Sequence, residues 1–547
     1  MASTEADQKT VMAISYRPAS RLLMVIAILA LSLLSAAPGA IAAQRRARHS
    51  AEQRTGAYMN SIRTNPRRLE KFLRQMPKGA DLHNHLSGAV YAESYIKWAA
   101  GASSPRLCVD SQSLALAAET AANPCSDPAR PAADKALTDS GFYNQLVDAW
   151  SMRNWRKSGE TGHDHFFHAF SKFGAAIDGH FGDMLAEVAS RAAGEHVSYL
   201  EIMLTPDNGV SASIGQNLKW DGNDLPAMRT ALLEEGIDKA AQQARATLDQ
   251  TEKSERQALG CDSAKPQAGC DVPVRFIFQV GRTNPPAVAF AQMVAAMETA
   301  GVDSRVVALN LVAPEDAAVA LNNFPIQMRM LGYLHSVYPK VHITLHAGEL
   351  APALVGPEAL RSHIRESVEQ AHAERIGHGV DVLHEDDSAG LLKEMAARRI
   401  LVEICLSSND LILGVRGKDH PLNTYIEYGV PTALATDDEG VSRSNMTNEY
   451  VRAVDDQGLT YGQLKKMARA SLEYSFASGS SLWDDPTTSM PVSDCAADLH
   501  RLSKGAHRSL SASCRSYLDA NLKAELQWSL EEKFLQFEQS VVGRGNH

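Results

Sequence analysis

Eight short apolar runs punctuate the chain, and the spacing of the last five restricts the fold more than any other feature. They start at residues 306, 342, 375, 401 and 431, giving steps of 36, 33, 26 and 30 residues. One strand with its returning helix and turns takes about 30 residues in a parallel βαβ unit. The runs are Val306–Ala313, His342–Glu349, Arg375–Val380, Leu401–Ser408 and Pro431–Asp438, with helix-like stretches such as Ala287–Ala300 and Ala389–Arg399 among them. Three earlier runs, at 79–86, Val197–Leu204 and Val274–Gly281, complete a set of eight. The pattern predicts an α/β fold, a (β/α)8 TIM-type barrel.

The first two connections break the rhythm and carry extra material. Residues 101–140, rich in Ala, Ser, Pro and Asp, read as an insertion, and 251–271 as a polar excursion. The barrel is expected over 66–480. Residues 481–547 are expected to form a C-terminal helical extension packed on it, with Leu526, Leu530, Phe534 and Phe537 at helical spacing. At the other end, Arg17 and Arg21 precede an apolar run, Leu22 to Leu34, followed by Ala40-Ile41-Ala42. That order predicts a signal peptide over 1–42, cleaved near Ala43, with a polar leader over 43–65. The run is short for a membrane span, so no stable membrane anchor is expected after cleavage. The reading is therefore a secreted or periplasmic protein.

Cysteine usage fits that compartment. Six of the seven fall into local pairs, Cys108 with Cys125, Cys261 with Cys270 and Cys495 with Cys514, as disulfides in an oxidising environment would require. Cys405 lies in an apolar run and reads as a buried free thiol. No Cys-x-x-Cys occurs, which removes the usual thiolate zinc sites. A net charge of -10 gives no electrostatic reason for nucleic acid as a partner.

In this barrel type, chemistry sits at the C-terminal ends of the strands. Asp81-Leu82-His83-Asn84-His85 places two imidazoles on one face of the first strand, because side chains at i and i+2 point the same way. The fifth run ends His346-Ala347-Gly348-Glu349, the sixth carries His378, and the eighth ends Thr436-Asp437-Asp438. Three imidazoles with one carboxylate suit Zn2+ better than Mg2+ or Ca2+. His83, His85, His346 and Asp437 are assigned as its ligands, with one ion per chain and water in the open position. His163, His165 and His168 share a Phe-rich helical pattern, which reads as a wall of the substrate pocket before it reads as a second metal site. Ser408 and Asn409 read as supporting or turn residues.

As a set, Asp81-Leu82-His83-x-His85-Leu86, His346-Ala347-Gly348-Glu349, Gly377-His378-Gly379, Glu403-Ile404-Cys405-x-x-Ser408-Asn409 and Thr436-Asp437-Asp438 resemble the adenosine deaminase family of zinc hydrolases. The leader and first insertion resemble its secreted, growth-factor-type branch. The resemblance implies attack of a zinc-activated hydroxide on purine C6, with Glu349 protonating N1. It implies that His378 positions the water and takes part in its deprotonation, and that Asp438 bonds N7. It also implies that the Ala313 backbone N–H reaches N3, where the family has glycine. Ser87 stands where many relatives have an aspartate that contacts the ribose 5′-hydroxyl.

The expected reaction is hydrolysis of adenosine or 2′-deoxyadenosine to the inosine form plus ammonia, on a small-molecule purine nucleoside. Ser87 keeps adenine or a 5′-modified adenosine open as substrates. A secreted binding or signalling protein with little turnover is the reading from a different class, and a homodimer is compatible with the sequence. Peptide mapping without reduction should recover the six paired cysteines as three disulfides. Recovery of all six as free thiols would remove the oxidising-compartment reading.

Overall fold

The computed structural model describes residues 50–503 and 509–544. The leader residues 1–42 expected as a signal peptide lie outside them. Eight parallel strands lie in one sheet in chain order: β1 Gly79–His85, β2 Val197–Leu204, β3 Val274–Gly281, β4 Val306–Val312, β5 His342–Ala347, β6 Arg375–His378, β7 Leu401–Ile404 and β8 Thr432–Leu434. Beyond β8 the chain meets β1 again: the Asp437 N–H donates to His83 O at 2.8 Å and the His85 N–H to Asp437 O at 3.2 Å. The Thr436 hydroxyl adds a 2.5 Å bond to Asp81 Oδ2. The sheet thus closes into a (β/α)8 barrel.

Helices pack outside, as the spacing requires. Pro286–Val302 follows β3, Ala318–Val337 follows β4 and Ser388–Arg398 follows β6. Two boundaries differ from the expected ones. β7 stops at Ile404, and the apolar residues beyond it enter a helix, Leu406–Leu413, since a short apolar run has no period that separates strand from buried helix. The stretch expected as a polar leader contains a helix, α1 Ala51–Ile62, whose Thr55, Met59 and Ile62 fall on one buried face. A second helix, α2 Pro66–Gln75, starts at an Asn65 side chain that accepts from the Arg68 N–H, with Pro66 in the first turn. It buries Leu69, Phe72 and Leu73 and delivers the chain into β1.

The three cysteine pairs are closed as disulfides, and Cys405 is a buried free thiol. The first insertion holds a small hairpin, Leu107–Val109 against Leu116–Ala118, pinned by Cys108–Cys125. Much of the second excursion is helical, because α-helix Asp238–Leu259 runs on before the Cys261–Cys270 loop. The C-terminal segment begins with strands Trp483–Asp485 and Met490–Pro491 rather than a helix. Its last helix, Leu522–Arg544, buries Leu526, Leu530, Phe534 and Phe537, and Phe537 meets Phe72 of α2 with ring centroids 5.1 Å apart.

A charged group crosses the barrel interior. Arg375, fully buried at the start of β6, lies 2.7 Å from Glu201 of β2 and 2.6 Å from Glu403 of β7. Removing one member of a buried ion pair leaves its partners charged and unpaired, at a cost of about 3–5 kcal/mol. Arg375→Met should therefore lower the calorimetric Tm sharply. A Tm within a degree of wild type would show that these carboxylates do not depend on the guanidinium.

Candidate active site

The strand ends converge at the C-terminal mouth. His83 Nε2 is 3.0 Å from His346 Nε2, and His85 Nε2 is 3.1 Å from the same atom. Asp437 Oδ1 stands 3.4 Å from His83 Nε2 and 3.3 Å from His85 Nε2. Neighbouring ligands at 2.0–2.1 Å from one ion are separated by about 2.9–3.4 Å at angles of about 90–109°, which leaves a position for water. Facing atoms in this set are thus 3.0–3.4 Å apart in four pairs, all four side chains are buried, and His83, His346 and Asp437 also lie within 4.8 Å of a nitrogen of His378, so the cluster suits a metal ion. His378 lies against the same group, its Nε2 3.7 Å from Glu349 Oε1.

Each ring is held by its far nitrogen. His83 Nδ1 donates to Glu403 Oε2 at 2.7 Å, and His346 Nδ1 donates to Asn310 Oδ1 at 2.9 Å. His85 Nδ1 meets the Gln279 side-chain amide at 2.7 Å. The Ser408 hydroxyl donates to Asp437 Oδ2 at 2.5 Å, which leaves Oδ1 facing the imidazoles. Such outer bonds fix ring orientation and raise ligand basicity. They come from β3, β4, β7 and the helix after β7, so the barrel itself sets the geometry.

Backbone conformation aims the remaining groups. Ala313, His378 and Asp437 adopt φ of +84°, +68° and +57°, left-handed values that cost a side-chain-bearing residue about 1–3 kcal/mol each. Gly88 is required beside the site, because a Cβ there would lie 1.5 Å from Asp438 Oδ1. Gly348, at φ +73°, turns the chain between His346 and Glu349, and a Cβ on it would come within 2.4 Å of Asp381 Oδ1.

The acids separate by environment. Burial, then the charges of Asp437 and Glu315, push the Glu349 carboxyl well above its usual range. Burial and the adjacent Asp437 do the same to Asp438. Glu315 goes the other way: burial opposes its charge, but Arg282 at 3.3 Å and His363 at 2.6 Å outweigh it and hold it at about 2. The Glu315 carboxylate accepts from the Gly348 and Glu349 N–H groups at 3.2 and 3.0 Å and so fixes the Glu349 backbone.

His85, His346, Glu349, His378 and Asp437 line one cavity of about 450 Å³, together with Ser87, Ala313 and Asp438. Its apolar wall includes Phe166, Phe167 and Phe170 of the helix Gly162–Phe173. The three histidines of that helix are engaged with carboxylates: His163 with Asp164 and Asp316, and His165 and His168 with Glu160. They form no metal cluster among the described residues.

A family model described as adenosine deaminase matches residues 148–481, more than half of the chain. The chain belongs to the adenosine deaminase family. The match starts after β1, so His83 and His85 lie outside it and are placed at the site by the barrel's closure. The adenosine deaminase of Salmonella typhi is 40% identical over 140 residues, 25% of this chain and 39% of its own length. That of Salmonella dublin is 41% identical over 138 residues, again 25% of this chain and 38% of its own. The chain thus spans about two fifths of the length of the curated relatives it matches. Among solved structures, the adenine deaminase of Arthrobacter aurescens aligns with a TM-score of 0.47 and 18% identity, over 74% of this chain and 94% of that one. The N6-methyl-AMP deaminase of Arabidopsis thaliana aligns with 0.49 and 20%, over 75% and 94%.

Sequence reading did not assign roles to Glu403, Asn310, Gln279 or Glu315, or to the cation Arg375 behind them. For Glu403, apart from its place in the motif Glu403-Ile404-Cys405-x-x-Ser408-Asn409, the signal is a carboxylate in the middle of an apolar strand, Leu401-Val402-Glu403-Ile404, since such a group is buried only with a partner. Glu403→Gln should weaken zinc affinity by about 10–100-fold in a chelator competition. Unchanged affinity would mean that the Glu403 charge does not act through His83.

Proposed function

We propose that this chain is an exported, zinc-dependent aminohydrolase that deaminates adenosine or 2′-deoxyadenosine to the inosine form with release of ammonia. The observation that carries this reading is a buried cluster of three imidazole nitrogens and one carboxylate, with facing atoms 3.0–3.4 Å apart, beside a carboxyl group that burial pushes towards the protonated form. Zn2+ bound by His83, His85, His346 and Asp437 would supply a water whose pKa falls to roughly 7, and so a hydroxide nucleophile at neutral pH.

The chain's own groups then serve the purine. Glu349, protonated and beside the metal set, gives its proton to N1, which makes C6 electrophilic. Purine N7 is an acceptor and needs a donor, and a protonated Asp438 carboxyl provides one. The Ala313 backbone N–H is assigned to N3, and Ser87 to the sugar side of the cavity. Among the described residues no lysine or arginine lines the cavity, and three phenylalanines do. That lining favours an uncharged nucleoside over a nucleotide, since a buried phosphate without a cation is costly. The three closed disulfides support the exported compartment.

Purified zinc-loaded protein should convert adenosine with release of ammonia, and a chelator should abolish the reaction. Glu349→Gln should lower kcat by about 10²–10⁴-fold while zinc content stays the same. Clear preference for adenine in a comparison of kcat/KM would replace the nucleoside assignment. No turnover by folded, zinc-loaded protein would leave the binding-protein reading.

A further inference from the structure

Behind the metal set a buried chain of hydrogen bonds runs in one direction and ends in the site. The Leu422 backbone N–H donates to His420 Nδ1 at 3.2 Å. A backbone amide can only donate, so Nδ1 accepts and bears no hydrogen. The ring is then neutral, with its single proton on Nε2. That Nε2 lies 3.0 Å from the Asn409 side chain and requires an acceptor there, which places Oδ1 at this end of the amide. The other end, Nδ2, is the atom 3.0 Å from His378 Nδ1. Because Nδ2 only donates, His378 Nδ1 accepts in turn, and the His378 proton is confined to Nε2.

We propose that His420 and Asn409 are positioning residues that lock His378 as the Nε2–H tautomer, so that His378 acts as a hydrogen-bond donor to the attacking oxygen and not as its base. This departs from the expectation that His378 takes part in deprotonating the water. His378 Nε2 is buried, and no protein atom among the described residues satisfies it. An unsatisfied buried N–H is costly, and an oxygen arriving in the cavity would satisfy it.

The inference rests on the proposed deaminase for its chemical meaning, and its test reads the tautomer directly. Full-length, zinc-loaded protein labelled with 15N-histidine is measured by long-range 1H–15N correlation NMR, with a His378→Asn sample to assign the resonance. The expected pattern for His378 is a bare Nδ1 and a protonated Nε2. In Asn409→Asp the carboxylate accepts from both rings, so the His378 pattern should invert. Turnover should then fall about 10²-fold in kcat, with KM changed less than about threefold and zinc content unchanged, as for loss of one positioned donor. His420→Phe should give mixed His378 tautomers, and His420→Gln, which still presents an N–H to Asn409, should restore the wild-type pattern. A protonated Nδ1 on His378 in the wild type overturns the proposal even if no variant folds. So does an inverted pattern in Asn409→Asp with turnover unchanged.

Discussion

The buried contact of Arg375 with Glu201 and Glu403 is the constraint on which the rest of the site depends. A strand that is buried on both faces has no natural place for a carboxylate, and Glu403 is tolerated in β7 because the guanidinium lies 2.6 Å away. With one oxygen committed to Arg375, and to the Thr344 hydroxyl at 3.0 Å, the other is left to accept from His83 Nδ1. That bond turns the Nε2 lone pair of His83 towards His346 and Asp437. A buried cation at the start of β6 thus determines, through one carboxylate, where the His83 ring points in the cluster at the mouth.

Conformational cost is concentrated at the same mouth. Three residues with side chains, Ala313, His378 and Asp437, hold left-handed backbone at the ends of β4, β6 and β8. In a strand, successive side chains alternate, so a plain continuation past β8 would send Asp437 and Asp438 to opposite faces. The left-handed turn at Asp437 lets both carboxylates border one cavity. At Ala313 the same conformation would be cheaper for glycine, the residue expected there from the resemblance, so the methyl is retained at a backbone cost.

The barrel was legible because its strands are short apolar runs at a regular step, a signal that depends on local composition alone. Where locality ended, legibility ended with it. Cys405 and Leu406 continue the apolar pattern of β7 although the backbone has already begun to turn helical, so the strand's end could not be read. α1 was missed for the opposite reason, since a polar stretch with only Thr55, Met59 and Ile62 on its buried face carries little apolar signal. The metal set was within reach because histidines at strand ends are few. Gln279 gave no signal and Asn310 no role of its own, as an amide at a strand end has many uses until a ring is placed against it.

The acids at the mouth show how one cluster can hold carboxyl groups in different charge states. Glu315 and Glu349 are both buried, and the first is joined to the backbone of the second. Arg282 and His363 face Glu315 and hold its carboxyl down at about 2, whereas burial drives Glu349 upwards and no cation among the described residues stands equally close to it. The ionised partner contributes to that rise, because its charge penalises a second charge nearby. Asp437 acts on Asp438 in the same way. Burial is the larger cause at each raised acid, and a neighbour kept charged adds to it, so carboxyl groups in one site can take different roles. The cation that keeps Glu315 charged, Arg282, does not line the cavity, so it acts on protonation without offering a phosphate anything to bind.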